Sequence, residues 1–372
     1  LWAWGAGTAG QLGDGILMDR STPAQIGTAT TWTECAVGAE FSVAIRGGTL
    51  WAWGKNTSGQ LGLGDTLDRV LPVQVGAGTT WSTVAAGTDF VIARQTNGTL
   101  WAWGNNANGQ LGLNDTTNRS TPTQIGVLTS WSAVAAGSAH AIARQSNSTL
   151  WGWGLNTSGQ IGDGTTTQLN APVQIGTATT WSTILACGTA SSFGLQSGAF
   201  WAWGNNANFN LGDGTTTQRN TPVQIGTTTT WNRLSAGAAH GLATRTDGSL
   251  YAWGGQNGIG QLGLGDSGLR GGPVRVGTEN AWAAISAGSQ HSASVKTDGS
   301  LWTCGANNRL QLAQAPEHVV PVASGGIVSF AGRLLASHFV RSNGTLWGIG
   351  ATIGDGTSTP RTSVSQIGTD AN

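Results

Sequence analysis

Apolar and polar side chains alternate along this chain in short runs, and the same runs return at a fixed interval. Trp131-Ser-Ala-Val-Ala-Ala-Gly137 reads as a short strand of small residues that Gly137 ends in a turn. His140-Ala-Ile-Ala-Arg144 alternates and predicts a second strand. Thr149-Leu150-Trp151-Gly152-Trp153 predicts a third, with Trp151 and Trp153 on one face because side chains repeat every second residue. Asn147-Ser148 joins the second and third strands. Its counterparts Asn97-Gly98, Asp247-Gly248, Asp298-Gly299 and Asn343-Gly344 are strong hairpin signals. After a longer loop, Pro172-Val173-Gln174-Ile175 predicts a fourth strand. Its opening proline suits an outer edge, where a missing N–H is tolerated.

The interval is about 50 residues, the range of repeat architectures. A Leu-Trp-Ala-Trp-Gly box opens at Leu1 and returns, with variations, at Leu50, Leu100, Leu150, Phe200, Leu250, Leu301 and Leu346. A lone tryptophan follows in each unit, at Trp32, Trp81, Trp131, Trp181, Trp231 and Trp282. These positions account for all 19 tryptophans, so none is left over for a special task. The units are 1–49, 50–99, 100–149, 150–199, 200–249, 250–300 and 301–345, with a half unit at 346–372. Repeats share a continuous core, so the whole chain, 1–372, reads as one domain. Four antiparallel strands repeated radially make a propeller blade. The innermost strand must be small because strands crowd at the axis, as in Ala85-Ala86-Gly87 and Ser286-Ala287-Gly288.

Together, Leu-Trp-Ala-Trp-Gly, Gly59-Gln-Leu-Gly-Leu-Gly-Asp65 and the Ala136-Gly-x-x-His140 turn resemble the regulator of chromosome condensation repeat family. The resemblance covers nearly the whole chain. It implies a seven-bladed, all-β propeller whose blades mix residues of consecutive repeats and whose ring is closed by the two chain ends. Seven full units leave the half unit from Leu346 to Gly368 surplus. Either the Leu1 half or the Leu346 half closes the ring. The other then packs as an extra edge, pairs with another chain, or extends a longer array. The unit from Leu301 is degenerate, with Cys304 in a tryptophan position and Phe330 in place of the lone tryptophan.

Composition narrows the function. The 17 basic and 17 acidic residues cancel, which argues against an electrostatic footprint for nucleic acid or an anionic membrane. No apolar run is long enough for a membrane helix. Charged residues make up 9% of the chain and only Lys55 and Lys296 are lysines, a composition closer to secreted, cell-surface or virion proteins. The chain begins at Leu1 inside a motif, so no targeting signal is legible. Cys35, Cys187 and Cys304 fall on buried repeat positions and read as packing residues.

No arrangement of residues predicts catalysis. His140, His240 and His291 share one repeat position, which Phe41, Phe90 and Ser191 fill elsewhere; they read as turn residues bonded within their own blade. His318 and His338, in the degenerate unit, have no metal-ligand spacing. Asp and Arg recur together in the third-to-fourth-strand loops, four apart at Asp65/Arg69, Asp115/Arg119 and Asp266/Arg270. They are six apart at Asp14/Arg20, Asp213/Arg219 and Asp355/Arg361. The reading is loop-stabilising ion pairs rather than calcium ligands, because no D-x-D pattern accompanies them. The glycine-rich stretches lack a phosphate-loop Lys-Thr. No metal and no cofactor is expected. Asn-x-Ser/Thr sequons such as Asn56 and Asn156 are expected by chance in a chain so rich in Asn and Thr.

What differs between units is the long loops. Their tips carry Ile16, Leu17, Met18, Leu67, Leu71 and Phe209, and the first-to-second-strand turns bring Glu40 and Asp89 to the same face. Large apolar tips are an odd choice for a purely solvated surface. These residues are the candidate site of a non-enzymatic propeller that binds a protein partner. The resemblance implies two precedents: secreted bacterial members that inhibit β-lactamases through such a face, and a founding member that exchanges guanine nucleotide on a small GTPase. The composition favours a bacterial-type or phage-type binding module. Sugar stacking is weakened as a third reading because the tryptophans sit in strands. The family's ultraviolet-B photoreceptor sets tryptophans among charges, and few charges neighbour the tryptophans here.

Overall fold

The structure, a computed structural model, describes residues 2–306 and the strands Ile327–Arg333, Ala336–Arg341, Leu346–Gly350 and Arg361–Ile367. It is an all-β propeller. The first blade runs Trp32–Val37, Phe41–Arg46, Thr49–Gly54, Arg69–Gln74, each strand antiparallel to the next. The second to fifth blades repeat that order from Trp81, Trp131, Trp181 and Trp231. The sixth begins with Trp282–Ala287, His291–Lys296 and Leu301–Gly305. Its fourth place is filled by Arg361–Ile367 from the far end of the chain.

The expectation of seven like blades is corrected here. Beside six four-stranded blades stands one five-stranded sheet, in the order Arg20–Gln25, Trp2–Gly5, Leu346–Gly350, Ala336–Arg341, Ile327–Arg333. The surplus half unit is split between two sheets. Its third-strand segment enters the five-stranded sheet, where Trp2 and Trp347 pair in a parallel register. Its fourth-strand segment completes the sixth blade. Both ends carry the same third-strand pattern, and both are seated side by side. Both segments thus pair within the chain.

The fourth strands start earlier than expected. Leu169–Gln174 holds Pro172 inside the strand, at a register irregularity against Gly152 and Gly154. An irregularity leaves a ladder N–H unused, which is what proline requires.

The three tryptophan classes meet in each of the first four blades; the fifth has Tyr251 and the sixth Cys304 in one of the box positions. Trp131 stands edge-on to Trp151 at 5.9 Å and to Trp153 at 6.3 Å. Apolar cores lie between blades: Phe41, Val43 and Leu50 of the first blade pack with Trp81, Val91 and Trp103 of the second. Contrary to expectation, cations do accompany tryptophans. Arg46 lies 4.0 Å over Trp51, and Lys296 lies 3.6 Å over Trp302. The small first strands line an axial cavity of about 320 Å3.

Candidate functional site

The loop face is built on seams between blades. Each long loop leans on the blade that follows. Gln60 O accepts the Trp103 indole N–H at 3.0 Å, and the same bond joins Gln110 to Trp153 and Gln160 to Trp203. Gly62 faces that indole: a Cβ there would lie 2.8 Å from Trp103 Nε1, and its φ of 72° is open to glycine at little cost. Inside the loop, Asn56 is buried. Its Oδ1 accepts the Leu61 N–H at 2.9 Å and its Nδ2 donates to Asp65 O at 3.0 Å. Asn106, Asn156, Asn206 and Asn257 do the same work in their loops. Sequence reading missed these asparagines, taking Asn56 and Asn156 only as sequons; both are fully buried and closed to glycosylation. Their return at one repeat position was the available signal.

The Asp–Arg pairs are ion pairs within the loops, at 2.6 Å for Asp65–Arg69 and Asp115–Arg119 and 2.5 Å for Asp266–Arg270. Asp14–Arg20 and Asp213–Arg219 pair likewise. The Leu67 amide and the Arg69 guanidinium hold the Asp65 carboxyl below the usual range. Asp355 lies outside the described residues, as do the side chains of Arg361, His318 and His338. Among the described residues no three of His, Cys, Asp and Glu converge on a metal position.

His140 and His240 bridge blades, which corrects for them the reading of a bond within their own blade. His140 Nε2 and Ser192 Oγ are 2.9 Å apart across the seam, as are His240 and Ser292. Ser192 donates to Gln160 O at 2.7 Å, so the proton between it and His140 belongs to Nε2. Burial pushes the His291 pKa down to about 4. Burial and the neighbouring His291 push His240 down to about 3. Both imidazoles are neutral at ordinary pH and closed to solvent.

The predicted contact residues divide. Ile16, Leu17, Met18, Leu67 and Leu71 are exposed, at 43, 57, 66, 66 and 54%. Gly15 N donates to Val70 O at 2.9 Å, and a Cβ on Gly15 would lie 3.5 Å from Leu71 Cδ2. The 16–18 tip and Leu71 therefore adjoin. Glu40 is half-buried and pairs with Lys55 at 2.5 Å. Asp89, also half-buried, stands near the same ammonium. Phe209 does not belong with the exposed tips. It is half-buried, with its ring against Gly271 of the next blade. On the opposite face, Val127 is 87% exposed and Leu128 lies beside it, two apolar residues that the Thr-rich reading of that face overlooked.

The model of the Regulator of chromosome condensation (RCC1) repeat matches residues 1–45, 47–94, 97–144, 147–195, 197–244 and 247–295. Among solved structures, human WBSCR16 is similar at 19% identity and a TM-score of 0.79, covering 91% of this chain and 98% of that one. Prp20p of Saccharomyces cerevisiae is similar at 19% identity and a TM-score of 0.80, covering 95% and 92%. At that identity the likeness is one of fold. No curated protein sequence matches the chain.

Proposed function

Because the chain belongs to the Regulator of chromosome condensation (RCC1) repeat family, we propose that it is a non-enzymatic binding propeller whose loop face takes a protein partner. The observation that carries the reading is the exposure of Ile16, Leu17, Met18, Leu67 and Leu71 at the long loops of one face. Large apolar side chains supply the buried anchors of interfaces. Prp20p, which shares the fold, binds Gsp1p and histones, so protein binding has a precedent on this scaffold. In the proposed protein the five-stranded sheet serves as a seventh blade and closes the ring. The sparse charge and two lysines support a place outside a cell, on a cell surface or on a virion, in a bacterial-type or phage-type binding module.

Guanine-nucleotide exchange on a small GTPase is the second reading. The likeness to Prp20p favours it at the level of fold and carries no exchange-site residue to this chain. Neither reading requires a cofactor. The test compares proteins captured by the immobilised parent with those captured by a Met18→Ser/Leu71→Ser variant that melts like the parent. The reading expects a bound protein to be lost with that variant and kept with Val127→Ser. Equal capture by parent and loop variant overturns it. Accelerated nucleotide release from a purified small GTPase would instead establish the second reading.

A further inference from the structure

The loop face is unequal around the ring. At the position of Leu67 the next three blades carry Thr117, Thr167 and Thr217; at that of Leu71 they carry Thr121, Ala171 and Thr221. The same inequality holds for charge. Glu40 and Asp89 share a position that is Ala139, Ala190 and Ala239 further round, and Asp68 gives way to Asn118, Gln168 and Gln218. Leu269 of the fifth blade is also exposed, but Ala239 and Gln290 stand there where the first two blades carry Glu40 and Asp89. Acid and large apolar side chains thus fall together only in one sector, above the first two blades and the 16–18 tip.

The sector is contiguous. Leu67 and Asp68 are neighbours in one loop, and Leu71 follows in the strand Arg69–Gln74 beside Gly15. Lys55 sits among Glu40, Asp89 and Asp68. Lys55 is matched by Glu40, at 2.5 Å, and Asp68 adds a further carboxylate beside that pair. Asp68 spends one oxygen on the Asn56 N–H, at 2.7 Å, and Glu40 is joined to Lys55 alone among the described bonds. The exposed Asp68 carboxylate therefore faces solvent beside an uncovered apolar edge.

We propose that this sector is the docking site of a protein segment carrying Lys or Arg flanked by large apolar side chains. The proposal rests on the loop-face reading and adds to it the place and the partner's chemistry. Apolar side chains of the segment would cover Met18 and Leu71, and its cation would meet the carboxylates of Glu40 and Asp68. Charge of this kind steers encounter and selects partners more than it adds affinity, so salt should slow association.

The probe is a random dodecapeptide library displayed on phage and selected against the full chain. Recovered peptides are then synthesised and titrated by fluorescence anisotropy. The proposal expects Lys or Arg next to Leu, Ile, Met, Phe or Trp in the recovered sequences. It expects binding about tenfold weaker to Leu71→Ser and to Glu40→Lys, both melting like the parent. Changing the peptide's cation to Glu should restore binding to Glu40→Lys, a reversal that lost folding could not produce. Peptides without cations, or peptides indifferent to both substitutions, overturn the proposal. If their binding falls instead with Thr167→Lys, on the same face, the sector is wrong and the loop-face reading stands. If it falls with Val127→Ser, both are wrong.

Discussion

Phe209 and Gly271 face each other across the seam between the fourth and fifth blades, with sizes opposite to those at neighbouring seams. Elsewhere a glycine in the loop meets a side-chain-bearing residue: a Cβ on Gly59 would lie 2.7 Å from Ser120 Cα, and one on Gly109 would lie 2.7 Å from Asn170 Cα. Here the loop carries Phe209 in the left-handed region, with a φ of 56°, and the strand carries glycine. A Cβ on Gly271 would approach Phe209 Cδ1 to 3.3 Å. Gly271→Asn should destabilise by about 1–3 kcal/mol through overpacking. Phe209→Gly loses apolar contact but relieves a conformation costing about 1–2 kcal/mol. The double variant restores the arrangement of the other seams. Chemical denaturation of all four proteins should show the two changes to be coupled, the double variant being more stable than their sum. Additive effects would mean that the two residues do not share a seam.

A second prediction concerns the indole bonds. Trp103 is fully buried and donates to Gln60 O at 3.0 Å, 43 residues back. Trp103→Ala should cost about 3–5 kcal/mol by opening a cavity that rigid blades fill poorly. At the seam of the fifth and sixth blades the same place holds Cys304, whose Sγ reaches Gln261 O at 3.4 Å. A thiol is a weaker donor and fills less space. Amides of Leu301–Gly305 should therefore exchange with solvent sooner than those of Leu100–Gly104, as read by hydrogen exchange. Equal protection would show that the indole bonds add little to the seams.

Much of this fold was legible in the sequence, and the limits follow from where the determinants lie. Strands, hairpins and innermost small residues are local, set by alternation and turn chemistry within a few residues. Seam contacts are not local. His140 finds Ser192 and Trp153 finds Gln110 about one unit away, so a single unit read alone points each side chain to the wrong partner. The closing sheet was open for another reason. Trp2–Gly5 and Leu346–Gly350 carry the same strand pattern, and nothing local ranks one above the other for the edge of Ala336–Arg341. Of the loop-face residues, the exposed leucines were legible because units differ there. Phe209 misled because its compensating partner, Gly271, lies in another unit.

A third prediction follows from the seam histidines. The unfolded chain takes up protons near the ordinary histidine pKa of 6.5, whereas folded His291 and His240 resist to about 4 and about 3. Folded pKa values below the unfolded ones mean full stability above pH 6.5, lost as pH falls towards 3. The slope should be about 1 kcal/mol per pH unit for each histidine. Other seams show how to remove it. Where the chain has Phe41 instead of His, the next blade has Val91; where it has Phe90, the next has Ala141. His240→Phe combined with Ser292→Ala should keep stability near neutral pH and flatten the acid limb of a melting-temperature profile. An unchanged acid limb would place its origin elsewhere.

The last prediction runs the other way in pH. Glu34 stands on the innermost strand of the first blade, at a position that is Thr83, Ala133 and Thr183 in the next three, and lines the axial cavity. Its Oε1 accepts the Val84 N–H at 3.3 Å. Burial pushes its pKa up to about 8, against the lowering effects of that amide and of Arg94. A carboxyl raised in the folded state is protonated there while the unfolded chain has already ionised. Stability therefore falls as pH rises from about 4.5 to about 8, the opposite sign to the histidines. Glu34→Gln keeps an acceptor for Val84 and cannot ionise. It should match the parent near pH 4 and exceed it above pH 8 by at least about 1 kcal/mol, allowing for water in the cavity. Denaturation at both pH values decides. A parent and variant that keep the same difference at both would mean that Glu34 is solvated in the cavity and ionises as an ordinary carboxylate.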